Sequence, residues 1–175
     1  MSDKIFINSN YYMNLSISLA EKIENSDYKP DMIIGVSRGG CFPAITIHEY
    51  LNYKGINCEY NVISAKSYEN NVRQNNVFID ISKHTEDCLN RCNRILIIDD
   101  VFDSGYTIMN ICNYLYNMKL SSDKFKIATV YYKPNCNKTT IVPDFYIEET
   151  DKWIVFPHEL LGLNNNDIKY KNILI

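Results

Sequence analysis

Two adjacent carboxylates followed by a hydroxyl-rich turn make the most chemically loaded stretch of the chain, RILIIDDVFDSGYTI at 94–108. An apolar run ends in Asp99 and Asp100; Asp103, Ser104, Gly105, Tyr106 and Thr107 then lead into a helical pattern. In open α/β sheets, ligands sit beyond the carboxyl ends of strands, where a helix N-terminus offers unpaired N–H groups and partial positive charge. Ser104 and Thr107 add hydroxyl donors, and Gly105 lets the backbone approach an anion closely. Neighbouring carboxylates beside a phosphate repel it unless they serve something cationic or rich in hydroxyls, and Mg²⁺ and a ribose diol meet both needs. Taken singly, Thr107 reads equally as a helix cap and the aspartates as solvated loop ends. The full series, directly after a buried strand, favours the phosphate cradle. Neither GxxxxGK[ST] nor GxGxxG occurs, which argues against an ordinary NTPase or dinucleotide enzyme.

A second strand, turn and helix start recurs at 33–44, IIGVSRGGCFPA. After Ser37, Arg38 brings charge and Gly39 and Gly40 bring backbone access, so a second phosphate group fits there, although a simple tight turn has the same pattern. Further on, YYKP at 131–134 places Lys133 just past a strand end, where its ammonium can donate to an oxo group. DKWIVFPHE at 151–159 offers Trp153 as a flat apolar face for a planar ring and Ile154 as a main-chain partner. Alone, Trp153 is more often a core residue.

These residues need a scaffold, and the hydrophobic pattern supplies one. MIIGV at 32–36 and RILIID at 94–99 are short, nearly all apolar and closed by turn residues, as central parallel strands are. Tyr12, Leu15, Leu19 and Ile23 share one helical face, and Pro43 suits the first turn of a helix ending near Gly55. Ile108, Ile111, Leu115 and Met118 mark a third helix, and KIATVYY at 126–132 and CEYNVISAKSY at 58–68 read as further strands. Residues 69–90 are polar enough to be mobile, with VFIDI a possible hairpin arm. The order helix, strand, helix, strand, strand, helix, strand predicts an α/β fold with an open, mainly parallel sheet flanked by helices. At 175 residues the chain suits one domain, 1–175, with its core at about 10–140. A small C-terminal hood is expected at about 141–175, with the N-terminal strand 3–7 pairing into it.

The 94–108 segment resembles the phosphoribosyl diphosphate signature of type I phosphoribosyltransferases. That resemblance implies that Asp99 and Asp100 hold the ribose hydroxyls, that the loop from Asp103 to Thr107 binds the 5′-phosphate, and that Asp103 accepts the proton from N7 of the base. Residues 37–40 look like the family's diphosphate loop, which implies a strained or cis peptide between Arg38 and Gly39. AKSYENNVRQ at 65–74 is similar to the loop that closes over the site in hypoxanthine-guanine enzymes, so Lys66, Ser67 and Tyr68 would shield the reaction from water; a hinge without a catalytic part reads nearly as well. Lys133 and PDFYIEETDKWIVFPHE closely resemble the purine-binding hood of microbial xanthine-guanine and hypoxanthine phosphoribosyltransferases. Glu159 then falls near an acid that helps bind a second magnesium ion, so the implied metal ligands are Asp99, Asp100 and Glu159. Ser104 replaces a commoner Thr, Tyr106 stands where Lys is frequent, and the first acid is Asp where human-type enzymes have Glu. The implied reaction makes a nucleotide from a 6-oxopurine and phosphoribosyl diphosphate with Mg²⁺, in a homodimer.

Composition narrows the rivals. A formal net charge of −3 lacks the basic excess of a nucleic-acid footprint. The start, MSDKIFINSN, has no basic stretch leading into an apolar one, and no run of about 18 apolar residues occurs, so the reading is cytoplasmic with no membrane partner. Six scattered cysteines read as buried free thiols, and His48, His84 and His158 are too far apart for a local zinc motif. A regulator that keeps the fold and nucleotide site without catalysis is the alternative. A phosphotransfer domain using Asp99 or Asp100 as acceptor would leave Arg38, Lys133 and Trp153 unexplained.

Overall fold

The structure, a computed structural model, describes residues 4–67, 77–161, 163, 167, 168 and 171. Helix α1 (Ser9–Glu24) begins where the Asn8 side chain accepts the Tyr11 N–H at 2.8 Å, and its buried face carries Tyr12, Leu15, Leu19 and Ile23 at the expected spacing. Strand β2 (Met32–Ser37) leads into α2 (Cys41–Tyr53), with Pro43 in its first turn. Strand β3 (Glu59–Ser67) pairs antiparallel with β4 (Val77–Asp80), the hairpin arm. Strand β5 (Ile95–Phe102), helix α4 (Tyr106–Asn117) and strand β6 (Phe125–Tyr132) follow.

Two elements depart from the sequence pattern. Residues 83–90, expected to be part of a polar mobile stretch at 69–90, instead belong to helix α3 (Lys83–Arg91), capped where the Ser82 side chain accepts the Thr85 N–H at 3.0 Å. Its buried stripe is only Thr85, Cys88 and Leu89, too short to stand out from a polar background. FYIEE, expected in the hood, is β7 (Phe145–Glu149), which joins the main sheet parallel to β6. The hood pair is β8 (Trp153–Val155) with the N-terminal β1 (Lys4–Phe6), parallel, Ile5 opposite Ile154.

The main sheet runs β4-β3-β2-β5-β6-β7, all parallel except β4. Alternation along its central strands feeds two cores. Ile33, Leu96 and Ile98 pack on one face with α1 and α2, while Ile34, Ile95 and Ile97 pack on the other with α3 and α4. From β2 the chain crosses outward to β3, and from β5 it crosses in the other direction to β6. The carboxyl ends of β2 and β5 therefore flank the switch point where open sheets bind ligands. No helix among the described residues is long and apolar enough to cross a membrane.

Candidate active site

Both loops singled out by sequence lie at this switch point. The turn after β2 rests directly on the end of β5: a Cβ on Gly39 would sit 2.0 Å from Asp100 Oδ2, and one on Gly40 would sit 2.4 Å from the Ile98 carbonyl oxygen. Only glycines allow that approach. The cis peptide of this turn joins Ser37 to Arg38, one bond earlier than expected, because β2 runs through Ser37 and the chain leaves the sheet at that residue. Arg38, Gly39, Asp100, His158, Glu159, Leu160 and Leu161 line a cavity of about 650 Å³.

The turn after β5 forms a second pocket of about 230 Å³, lined by Asp99, Asp100, Asp103, Ser104, Gly105 and Thr107 among others. Gly105 caps α4 at φ 81°, a left-handed conformation that suits glycine, and it brings no side chain over the helix N-terminus. Tyr106 is not part of that lining; its backbone N–H points at Ser104 Oγ, 3.5 Å away. Asp99 is buried, and its Oδ1 accepts the Asp100 N–H at 3.0 Å, while Asp100 Oδ1 accepts the Val101 N–H at 2.8 Å. Burial holds the Asp99 carboxyl well above the usual range, with the neighbouring Asp100 adding to the shift. Asp100 is raised too, again by burial first. Two such acids favour a cation or a hydroxyl partner at this end of the sheet.

Lys133 follows β6, with its backbone N–H bonded to the Phe102 carbonyl at 2.9 Å. Its side chain is buried, donates from Nζ to Asp103 Oδ2 at 2.8 Å, and lies 5.7 Å from the centre of the Trp153 ring. Trp153 is 57% exposed, so its face is open rather than consumed by the core, whereas the Ile154 side chain is buried among core residues. The structure thus brings a donor, an acceptor and an aromatic face together. Glu159 reaches the larger cavity, but its Oε2 accepts the Phe156 N–H at 3.0 Å. Asp99, Asp100 and Glu159 do not converge as a three-ligand cluster; among the described residues the one such cluster lies elsewhere. Lys66 and Ser67 close β3, their backbones opposite Phe78 and Val77, and Tyr68 lies outside the described residues.

Two residues at the site escaped the sequence reading. His158, in the FPHE run, stacks on Phe156 with ring centres 5.8 Å apart and lines the larger cavity. Tyr12 is fully buried, stacked on Phe42 at 4.8 Å, and its hydroxyl has no hydrogen-bond partner among the described residues. Burial, then the charges of Asp100 and Asp99, push its ionisation upward. On sequence, its helical spacing marked it only as core.

An open, mainly parallel sheet with two glycine-bearing turns at its switch point is the framework of nucleotide- and phosphosugar-handling α/β proteins. Residues 2–161 match the phosphoribosyl transferase domain family, and the chain belongs to that family. It is 30% identical over 131 residues to a xanthine-guanine phosphoribosyltransferase of Idiomarina loihiensis, covering 73% of this chain and 70% of the relative. A second xanthine-guanine phosphoribosyltransferase, from Cereibacter sphaeroides, is 31% identical over 130 residues, covering 73% and 68%. The crystal structure of a purine phosphoribosyltransferase from Pyrococcus horikoshii superposes with a TM-score of 0.72 at 34% identity, covering 93% of this chain and 99% of that one.

Proposed function

We propose that this chain is a purine-salvage phosphoribosyltransferase that joins a 6-oxopurine to the ribose of phosphoribosyl diphosphate, releasing diphosphate. The carrying observation is the Lys133–Asp103 pair, a buried ammonium and a half-exposed carboxylate 2.8 Å apart, below an open indole face. A 6-oxopurine presents an acceptor at O6 beside a donor at N7–H, an edge that matches one donor and one acceptor side by side. Adenine presents an amino donor where Lys133 also donates, so it is disfavoured. Trp153 supplies the stacking surface.

In this reading, Asp103 takes the N7 proton as the purine nitrogen attacks C1 of the ribose, and Lys133 stabilises the charge growing on O6. Asp99 and Asp100 hold the ribose hydroxyls. The loop from Asp103 to Thr107 holds the 5′-phosphate with the α4 N-terminus behind it, and the turn of Ser37, Arg38, Gly39 and Gly40 faces the diphosphate. The adjacent carboxylates of Asp99, which is buried, and Asp100, which is partly buried, fit Mg²⁺, which takes one or two carboxylates and completes its shell with water and phosphate oxygens. Asp99 and Asp100 would hold it, Glu159 in the lining of the larger cavity would serve a second ion, and bound metal would neutralise the leaving diphosphate. Lys66 and Ser67, which close β3, would with Tyr68 belong to a loop that closes over the site and excludes water. The working unit is a homodimer in the cytoplasm.

The test is formation of nucleotide and diphosphate from phosphoribosyl diphosphate with hypoxanthine, guanine, xanthine, adenine and uracil, with and without Mg²⁺. Metal-dependent turnover of one or more 6-oxopurines, with adenine slower by about a thousandfold or more in kcat/KM, supports the proposal. Tight nucleotide binding without turnover of any base would replace it with a binding regulator. Light scattering tests the dimer.

A further inference from the structure

Away from the candidate active site, Glu59 at the start of β3 and His84 and Cys88 on α3 bring a carboxylate oxygen, an imidazole nitrogen and a thiol sulfur within 4.8 Å of one another. We infer that these three residues form a site for a borderline divalent cation such as Zn²⁺, with water as the fourth ligand. His84 and Cys88 are one helical turn apart and so share a face of α3. His84 Nε2 lies 3.6 Å from Cys88 Sγ. Tetrahedral zinc, with sulfur at about 2.3 Å and nitrogen at about 2.0–2.1 Å, separates two such ligands by roughly the same distance. Glu59 Oε2 lies 2.8 Å from the same sulfur and has to move outward by less than about 1 Å to complete the set.

A cation already visits this place. The Arg91 guanidinium sits 2.6 and 2.9 Å from the two Glu59 oxygens and 3.0 Å from Cys88 Sγ. The cluster is thus electrostatically a cation site, with Arg91 as the occupant in the metal-free state. On metal binding, Arg91, whose side chain is half-exposed, turns to solvent, the Cys88 thiol releases its proton to water, and a metal–sulfur bond forms. Cys88 is buried while His84 is exposed, so the ion can enter from the His84 side.

Location assigns the role. Glu59 pairs with Met32 at the start of the parallel strands, so the cluster lies at the opposite end of the sheet from the phosphate loops. A metal there clamps α3 to β3 and takes no part in nucleotide chemistry. Sequence spacing between histidines hid it, because the ligand pair is His84 with a cysteine and the third ligand comes from a distant strand.

The experiment adds Co²⁺, then Zn²⁺, to the whole metal-free protein, reading the thiolate-to-cobalt charge-transfer band and calorimetric stoichiometry. One equivalent of Co²⁺ giving that band, displaced by Zn²⁺, is expected. The band should vanish in Cys88→Ser and weaken at least tenfold in apparent affinity in His84→Ala, an exposed position where folding is not at risk. It should persist in Cys41→Ser, which removes the thiol beside the phosphate loops. Arg91→Ala, which removes the competing cation, should bind several-fold more tightly. A folded protein without the band, a band surviving in Cys88→Ser, or unchanged affinity in His84→Ala overturns the site.

Discussion

Asp103 is placed by its hydrogen bond to Lys133 rather than by burial, so replacing the carboxylate proposed to accept the N7 proton should remove chemistry without removing structure. Asp103→Asn is expected to lower kcat by about 10²–10⁴ with the KM for phosphoribosyl diphosphate nearly unchanged, measured by steady-state nucleotide formation. Asp99 has the opposite character. Its carboxyl is buried and its pKa raised by that burial first and by Asp100 second. In acid, folded and unfolded chains both hold the proton and the residue is neutral in stability. As pH rises past the ordinary carboxylate range near 4, the unfolded chain releases its proton while the folded one keeps it, so stability falls until the folded pKa is passed. Asp99→Asn should therefore be more stable than the parent at pH 8 and nearly equal to it at pH 3.5, read from urea midpoints, while losing activity. Both aspartates were legible in the sequence because they follow an apolar run. Tyr12 and His158 were not, since neither a helix-face tyrosine nor a lone histidine differs locally from an ordinary core or surface residue.

At the scale of elements, the indole of Trp153 is only as well placed as the two-stranded hood that carries it. β8 is three residues long, and β1 is its one strand partner among the described residues, with the Ile7 N–H bonded to the Val155 carbonyl at 3.1 Å. Deleting residues 1–7 should raise the KM for the purine base about tenfold and leave that for phosphoribosyl diphosphate within about twofold, because both phosphate loops are anchored in the other sheet. Steady-state kinetics with each substrate varied in turn measures this split, and equal effects on both constants would argue against a separate hood. The β1–β8 pairing was legible as two short apolar runs. Helix α3 was missed because its solvent face, with Lys83 bonded to Glu86 and Asp87, dominates its composition. β7 reads as hood because from Pro143 the pattern changes to short strand-like pieces, FYIEE and WIVF, although the Asp144 side chain accepts the Ile127 N–H at 2.9 Å and ties the start of β7 back to β6.

For the whole molecule, the two buried runs in the sequence were enough to predict a central parallel sheet, but not that β2 and β5 are neighbours, since strand order depends on which crossovers turn which way. That order decides function: it brings Gly39 against Asp100 from segments some sixty residues apart and makes one site of two turns. It also makes one cooperative unit of two cores, because neighbouring residues of β5 serve opposite faces. Leu96 packs with α1 and α2, Ile97 with α3 and α4, and both are fully buried. Leu96→Ala and Ile97→Ala should each cost about 2–4 kcal/mol, the range for a fully buried aliphatic side chain. If the faces were separable, each variant would unfold one layer early and far-UV dichroism would split from tyrosine fluorescence. Because β5 is shared by both layers, each variant should instead shift a single coincident urea transition by a similar amount. Their double variant lies on adjacent residues of one strand, so its loss should depart from simple addition by about 0.5 kcal/mol or more.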